Sequence, residues 1–521
     1  MSKKSRKDRR AAESGPNQEA AAANAMHLSM MIGQMLQQAL KLHQAGQFDK
    51  AQSLYDGALQ LDADNFDAWH LRGVLEIDKR RFESAIRYLE RSLAIRPNAV
   101  AAWQNLGIAL RALKRPHEAL AASERALQIA PDNPAVLNNR GNVLLEIGQA
   151  EAALKCYAQA LALAPDFVEA YDNQGNALRE LHRFEEALES YARAQTLAPD
   201  FPSAHWNESL CRLLMGDLAA GWRKYEWGWQ TGKRGSRRRF AQPLWLGDTP
   251  IQGLKILLHA EQGFGDTIHF CRYATDVARL GAYVILEVPP ALRALMESLQ
   301  GPAQIVACGE PLPDFDVHCP LASLPLALRS DLGCIPSSKS YLTADTALVK
   351  KWSVKLGQHD RLRVGIAWSG NLEHSRNHQR SVPLQALLNL LSPGVQVFSL
   401  QKDLNPDEYG QLEKNPHAAH FGEDFANTAA LISLMDVVIS VDTSIAHLAA
   451  ALGCPTWILL AYTPDWRWMI DRNDTPWYPA ARLFRQSAPD DWPSVLEEVR
   501  SALSIEASSR GRRQTLSTIS S

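Results

Sequence analysis

Proline recurs at Pro97, Pro131, Pro165 and Pro199, and glycine at Gly73, Gly107, Gly141 and Gly175, both with a period of 34 residues. Alanine keeps the same period in two series, Ala51, Ala85, Ala119, Ala153 and Ala187, then Ala58, Ala126, Ala160 and Ala194. A large apolar or aromatic residue stands four positions before each glycine: Trp69, Trp103, Leu137 and Tyr171. Such a period constrains the fold strongly. Every unit must solve the same packing problem and then stack on its neighbour. Within each unit the apolar spacing is helical, in two segments of about a dozen residues. Small residues fall where paired helices must approach closely. Proline follows the second helix, which it cannot continue.

This pattern resembles the tetratricopeptide repeat. Five units are expected at 32–65, 66–99, 100–133, 134–167 and 168–201, with a degenerate sixth from 202 to about 230 that carries Gly221, Trp222, Tyr225, Trp227 and Trp229. Residues 25–230 are therefore predicted to form an α-solenoid whose concave face binds a partner protein or peptide. Asn105, Asn139, Asn173 and Asn207 share the period. Asparagine is a mediocre helix former, so four in register on first helices need a reason. Either their amides hydrogen-bond the backbone of an extended acceptor peptide, or they cap and bridge neighbouring repeats. The protein O-GlcNAc transferases carry such an asparagine ladder on their repeats, and that resemblance implies the peptide groove.

A chain of 521 residues needs more than this solenoid. Its net charge of −2 points to neither nucleic acid nor a membrane surface. No apolar run reaches the length of a membrane span. The basic start, MSKKSRKDRRAAES, has no apolar core after it, so no secretory signal is expected. Seven scattered cysteines without a C-x-x-C pair suggest reduced thiols, a cytoplasmic protein and no structural zinc. Residues 1–24 and 506–521 lack an apolar period and are predicted to be disordered tails. Residues 231–250 read as a linker. Its Lys233, Arg234, Arg237, Arg238 and Arg239 are expected to be a solvated surface or, alternatively, to meet a donor or acceptor phosphate. Leu244-Trp245-Leu246-Gly247 is expected to dock the repeats on the next domain.

A second architecture begins near Ile251. The strand Leu254 to Leu258, the helix from Asp266 to about Leu280 and the strands 283–288 and 304–307 predict a small parallel α/β domain over 251–350. Another is predicted over 360–505, from the strand 363–368 to an amphipathic helix at 491–503. Within it, Asp436 to Tyr462 reads as a strand, the polar turn Asp442-Thr443-Ser444, a small-residue helix and a second strand. Hydroxyls and free N–H groups at a helix N-terminus favour a phosphate. Two such domains in tandem oppose the carboxyl ends of two sheets, the edge where ligands bind.

Two motifs are similar to the GT-B glycosyltransferases of the heptosyltransferase-like family 9. One is Gly265-Asp266-Thr267-Ile268-His269 after the first strand. The other runs from Asp442-Thr443-Ser444-Ile445-Ala446-His447 through Leu448-Ala449-Ala450-Ala451-Leu452-Gly453-Cys454-Pro455, with Ser444 where the family carries glycine. The whole layout resembles bacterial fusions of tetratricopeptide repeats to such a domain, and in gross order protein O-GlcNAc transferase. The resemblance implies two Rossmann-like domains, an acceptor-side one and a nucleotide-sugar one. It also implies metal-independent transfer of a hexose or heptose, with a nucleotide-diphosphate sugar as substrate and no cofactor.

Asp266 is the candidate general base, although an N-capping carboxylate is equally natural there. Gly265 stands beside it at the mouth of the cleft and is expected to bind the donor. His269 lies one turn along and reads most simply as a helix-face histidine with a hydrogen-bond partner. Thr443, Ser444 and adjacent N–H groups would bind the donor diphosphate. Asp442 would cap the helix or orient His447, and His447 would touch phosphate or ribose or keep a structural role. Arg380 stands where related enzymes carry a lysine facing the phosphates. Lys402 would meet the nucleotide or remain a surface lysine. No P-loop, no His/Cys cluster and no D-x-D in a metal-binding setting is present. The expected function is transfer of a sugar from a nucleotide-diphosphate donor to a protein or glycan acceptor recruited by the repeats. The alternative is a non-catalytic repeat scaffold with a degenerate transferase-like domain. A sugar-nucleotide epimerase fits less well, because the repeats imply a macromolecular acceptor.

Overall fold

A computed structural model describes residues 4–371, 377–390, 394–415 and 417–519, and the chain divides into two compact units, 1–181 and 182–521. The first unit is all helix: α1 (Lys4–Gln44), α2 (Phe48–Leu61), α3 (Phe66–Asp78), α4 (Phe82–Ile95), α5 (Val100–Ala112), α6 (Pro116–Ile129), α7 (Pro134–Glu146), α8 (Ala150–Leu163) and α9 (Val168–Glu180). Consecutive helices pack as the hairpins α1–α2, α3–α4, α5–α6 and α7–α8. The periodic residues are the contacts. Ala51, Ala58, Ala85, Ala119, Ala126, Ala153 and Ala160 are fully buried. A Cβ on Gly73 would stand 2.8 Å from Leu89, and one on Gly141 would stand 2.5 Å from the Tyr157 ring. Trp69 and Trp103 each donate an indole N–H, at 2.8 Å, to the carbonyl six residues earlier.

The second unit opens with α10 (Phe184–Leu197), α11 (Pro202–Met215) and α12 (Leu218–Tyr225), where Ala187 and Ala194 are again fully buried. A four-stranded parallel sheet comes next, in the order β3-β2-β1-β4, built from β1 (Lys255–His259), β2 (Tyr283–Val288), β3 (Gln304–Ala307) and β4 (Val317–Pro320). Its helices are α13 (Phe264–Phe270), α14 (Ala274–Arg279), α15 (Arg293–Met296) and α16 (Leu324–Ala327). The linker lies against the edge of this sheet: Leu244 bridges β4 at His318, and the Trp245 N–H donates to the His318 carbonyl at 2.8 Å.

After α17 (Thr346–Leu356) comes a six-stranded parallel sheet in the order β10-β9-β8-β5-β6-β7. It consists of β5 (Leu362–Ala367), β6 (Val395–Ser399), β7 (Ala418–His420), β8 (Val437–Val441), β9 (Thr456–Leu460) and β10 (Ala481–Arg485). The helices are α18 (Asn377–Arg380), α19 (Leu384–Leu388), α20 (Pro406–Glu413), α21 (Phe425–Ile432), α22 (Ser444–Ala451) and α23 (Trp492–Ile519). Relative to the first strand of each sheet, the orders are 3-2-1-4 and 3-2-1-4-5-6, the doubly wound pattern. Val364, Ile439, Leu459, Val495 and Val499 form part of one buried cluster that seats α23 on the sheet.

Two expectations change. Residues 4–24 continue α1 and residues 506–519 continue α23, where disordered tails were predicted; residues 1–3 and 520–521 lie outside the described residues. Alanine, lysine, arginine and glutamate are strong helix formers and are frequent in residues 4–24, so α1 extends there without an apolar stripe. On α1 the first fully packed residue of the described side chains is Ile32.

Candidate functional site

A doubly wound sheet opens a crevice where its strand order reverses, beyond the carboxyl ends of the two strands at that point. In the first sheet these strands are β1 and β4, and the loop after β1 leads to Gly265 and Asp266. In the second they are β5 and β8, and the turn after β8 is Asp442-Thr443-Ser444. The fold brings these two loops together. A Cβ on Gly265 would lie 2.9 Å from Cδ2 of His447 and 3.5 Å from the Cα of Ser444. Phe264 and Phe425 meet edge to face, with centroids 5.1 Å apart. The helices that begin at the two motifs, α13 and α22, thus touch at their N-terminal ends.

Asp266 is the third residue of α13. One carboxylate oxygen accepts the N–H of the N-cap residue Gly263 at 3.1 Å, and the other is ion-paired with Arg467. Arg467 also binds Asp465 at 2.8 Å and is buried. Burial acts against its charge, but Asp465 and Asp266 outweigh it and raise the guanidinium pKa.

Thr443 caps α22, its hydroxyl accepting the Ile445 N–H at 3.2 Å. Asp442 precedes it. Burial first, and the neighbouring Asp465 second, push the Asp442 carboxyl from 3.8 up to about 6, with Arg380 and Arg467 opposing. His447 is buried, donates to or accepts from the Tyr478 hydroxyl at 2.8 Å, and stacks on Trp468 at 5.3 Å. Burial and then Arg467 hold its pKa well below the usual histidine value. The imidazole is therefore neutral at pH 7, and its 3.8 Å approach to Asp442 is not an ion pair. Tyr478 also meets Nδ1 of the buried His269 at 3.1 Å. With one hydroxyl proton, Tyr478 can donate to at most one of the two imidazoles, so at least one ring donates its Nδ1–H to it.

Arg380 lies against Gly370, where a Cβ would collide with its guanidinium, and its charge is felt at Asp442 and His447. Of the predicted residues, the structure thus gathers Gly265, Asp266, Arg380, Asp442, Thr443, Ser444 and His447. Lys402 is exposed in the turn after β6, and among the described residues no ion pair joins it to the group.

Sequence reasoning missed Arg467, Asp465, Trp468 and Tyr478. The signal for the first three was Asp465-Trp466-Arg467-Trp468, a loop of charge and aromatics at the carboxyl end of β9. It also treated Arg234 as surface. Arg234 is 1% exposed and binds Glu226 at 2.6 Å, Glu261 at 2.7 Å and Ser323 at 2.9 Å.

The asparagines divide. Asn105 on α5 meets His70 Nε2 at 3.0 Å, and Asn173 on α9 donates to Asn138 on α7 at 2.9 Å. These two bridge neighbouring first helices. Asn139 lines a small cleft between α5 and α7 with Gln104 and Arg111. Asn207 belongs to α11, in the second unit. Among the described residues no group of three or more His, Cys, Asp and Glu is arranged to hold a metal ion, and no helix is long and apolar enough to cross a membrane.

Three tetratricopeptide-repeat family models match residues 42–109, 98–166 and 138–202 with 173–220, and the model of glycosyltransferase family 9 (heptosyltransferase) matches residues 423–492. The last range includes the Asp442 turn, Arg467 and Tyr478. The chain is 26% identical over 324 residues to protein FlbA of Caulobacter vibrioides, covering 56% of this chain and 53% of that protein. It thus spans about half the length of the curated relative it matches. Similar solved structures include YrrB, a TPR protein with an unusual peptide-binding site (25% identity, TM-score 0.28, 33% of this chain and 88% of that one). Another is TTC0263, a thermophilic TPR protein of Thermus thermophilus (22% identity, TM-score 0.32, 35% and 99%). This chain carries tetratricopeptide repeats and a glycosyltransferase family 9 segment.

Proposed function

We propose that this protein transfers a sugar from a nucleotide-diphosphate donor to a protein or glycan acceptor recruited by its repeats. The observation that carries the proposal is the meeting of α13 and α22, with Asp266, Arg467, Asp442 and Arg380 around the contact. The donor diphosphate lies at the N-terminus of α22, against the N–H groups that Thr443 does not take and beside Arg380. The acceptor hydroxyl lies on the Asp266 side. Its oxygen attacks the anomeric carbon, its proton passes to Asp266, and the carbon–phosphate-oxygen bond breaks to release the nucleoside diphosphate. Arg380 and the first turn of α22 stabilise the charge growing on the leaving group. This reading assigns charge neutralisation to guanidinium groups, with no metal or further cofactor, and a hexose or heptose as the transferred unit. The free thiols fit a reducing cytoplasm.

The competing reading, a non-catalytic repeat scaffold, has one observation in its favour. Both oxygens of Asp266 are engaged, so Arg467 must release or share one before Asp266 can take a proton. A screen of nucleotide sugars for binding, hydrolysis and transfer separates the two. The enzyme reading expects Asp266→Ala to lose roughly 10²–10⁴-fold in turnover with donor binding retained, and Arg380→Gln to weaken donor binding. Donor binding without turnover supports the scaffold, and absence of both binding and turnover defeats the transferase proposal.

A further inference from the structure

A second, separate feature of the same unit has no part in this reading. Residues of the segment 229–244, with His318 of β4, enclose an open pocket of about 960 Å³. One side of it is the linker. Phe240 lies on the sheet beneath, its centroid 5.5 Å from the His259 ring and 4.7 Å from the His318 ring.

The lining is cationic. Arg237, Arg238 and Arg239 face the pocket, and no aspartate or glutamate lines it. Arg238 is ion-paired with Glu287, a buried carboxylate at the end of β2. Among the described residues Arg237 and Arg239 have no acidic partner, so two positive charges stay uncompensated beside Gln230 and Gln242.

The histidines beneath respond to that field. Burial, then His318 and Arg238, push His259 down to about 3, and burial with Arg237 and Arg238 lowers His318. Both rings are therefore neutral at pH 7. They lie 3.3 Å apart, His259 Nε2 to His318 Nδ1, and share one proton. His259 Nδ1 is buried without a partner. An orphaned N–H is rarer than an orphaned acceptor, so His259 keeps its proton on Nε2 and donates it to His318. His318, which lines the pocket, then carries its own proton on Nε2.

We propose that this pocket binds an oxyanion-bearing group, a phosphate or a sugar carboxylate, on Arg237 and Arg239 with His318 as a neutral donor. Two forked guanidinium groups and a neutral N–H suit a planar or tetrahedral oxyanion. The site is independent of the transferase proposal and holds whether or not the cleft is active.

The test is calorimetric titration of the full chain at low salt with inorganic phosphate, pyrophosphate and glucuronate. It is done in an Arg380→Gln background, which removes the cation at the α22 turn. Saturable binding of at least one probe is expected. Adding Arg237→Gln and Arg239→Gln should weaken it by roughly tenfold or more, because charged hydrogen bonds are lost. Both arginines are exposed, so an unchanged melting temperature will show that the fold is intact. The phosphate and glucuronate arms say which oxyanion fits. Equal affinity after the arginine substitutions overturns the proposal, and so does an Arg380→Gln protein that binds none of the three.

Discussion

Asp442→Asn removes a charge that the fold holds against its preference. The side chain is 16% exposed and shares its surroundings with Asp465. Its carboxyl titrates at about 6 instead of 3.8. A shift of roughly 2 units corresponds to about 3 kcal/mol between the charged and neutral forms. The folded pKa lies above the unfolded one. The stability tied to this group is therefore complete below about 3.8 and is lost as the pH rises through about 6. Asparagine carries no such penalty. The variant should exceed the wild type by up to about 3 kcal/mol near pH 8, and the difference should shrink from pH 6 downward and vanish below about pH 4. Urea unfolding followed by tryptophan emission reads the correct unit, since Trp69 and Trp103 are the only two of the fourteen tryptophans that precede residue 182. An Asp442→Asn protein no more stable than wild type at pH 8 would refute the reasoning, as would a gain of equal size at pH 4. If the variant is stabilised and also fails to bind donor, the buried charge is maintained for function at the expense of stability.

Other parts of the molecule give equally direct expectations. Gly141→Ala places a methyl group against the fully buried Tyr157 ring, and should cost about 1–3 kcal/mol despite up to about 1 kcal/mol of gained helix propensity. Hydrogen exchange across α7 and α8 would register it. Arg234→Met strips Glu226 and the buried Glu261 of their cation and should destabilise the second unit by about 3–5 kcal/mol, read by urea unfolding. Asn105→Ala and Asn173→Ala should each cost about 1 kcal/mol as bridging bonds are lost, by thermal melting. Asn139→Ala should leave stability within about 0.5 kcal/mol and weaken binding of an acceptor peptide, measured by fluorescence anisotropy.

Much of this fold is visible in the chain alone. The periodic alanines of the first unit are fully buried, and Gly73 and Gly141 fill crowded helix contacts, where few residue types are able to serve. The strands were legible because buried parallel strands read as continuous apolar runs, as Val437 to Val441 does. The short β7 and β10 were missed: Ala418–His420 is half-buried, and Ala481–Arg485 alternates only weakly. The site was half legible. Asp442, Thr443 and His447 are local neighbours on one turn of chain. Arg467 pairs with Asp266 across 201 positions, and Tyr478 joins His447 to His269 across 209 on one side. No periodicity encodes such partners, because they exist only when two sheets face each other. The role of Asp266 shows the same limit. Its position at the start of a helix predicted both a cap and a base, and the structure adds a cation that bears on both.

Ser444 is the point where the turn departs from the family 9 signature, which has glycine there. The structure locates the needed space on the opposite loop. Gly265 lies outside the left-handed backbone region, so its lack of a side chain serves proximity and not backbone freedom. A Cβ there would press on His447 Cδ2 at 2.9 Å, whereas Ser444 is approached only by its Cα, at 3.5 Å. His447 cannot yield freely, being held between Tyr478 and Trp468. Two substitutions should therefore behave unequally. Gly265→Ala must displace the His447 ring, costing about 1–3 kcal/mol by urea unfolding, and it should reduce nucleotide-sugar affinity as the turn shifts. Ser444→Gly restores the family residue in the first turn of α22 and should cost no more than about 1 kcal/mol, the helix-propensity difference, with donor affinity kept. Equal losses from the two, or a larger loss from Ser444→Gly, would mean that the serine hydroxyl itself holds the donor and that the close approach at Gly265 is incidental.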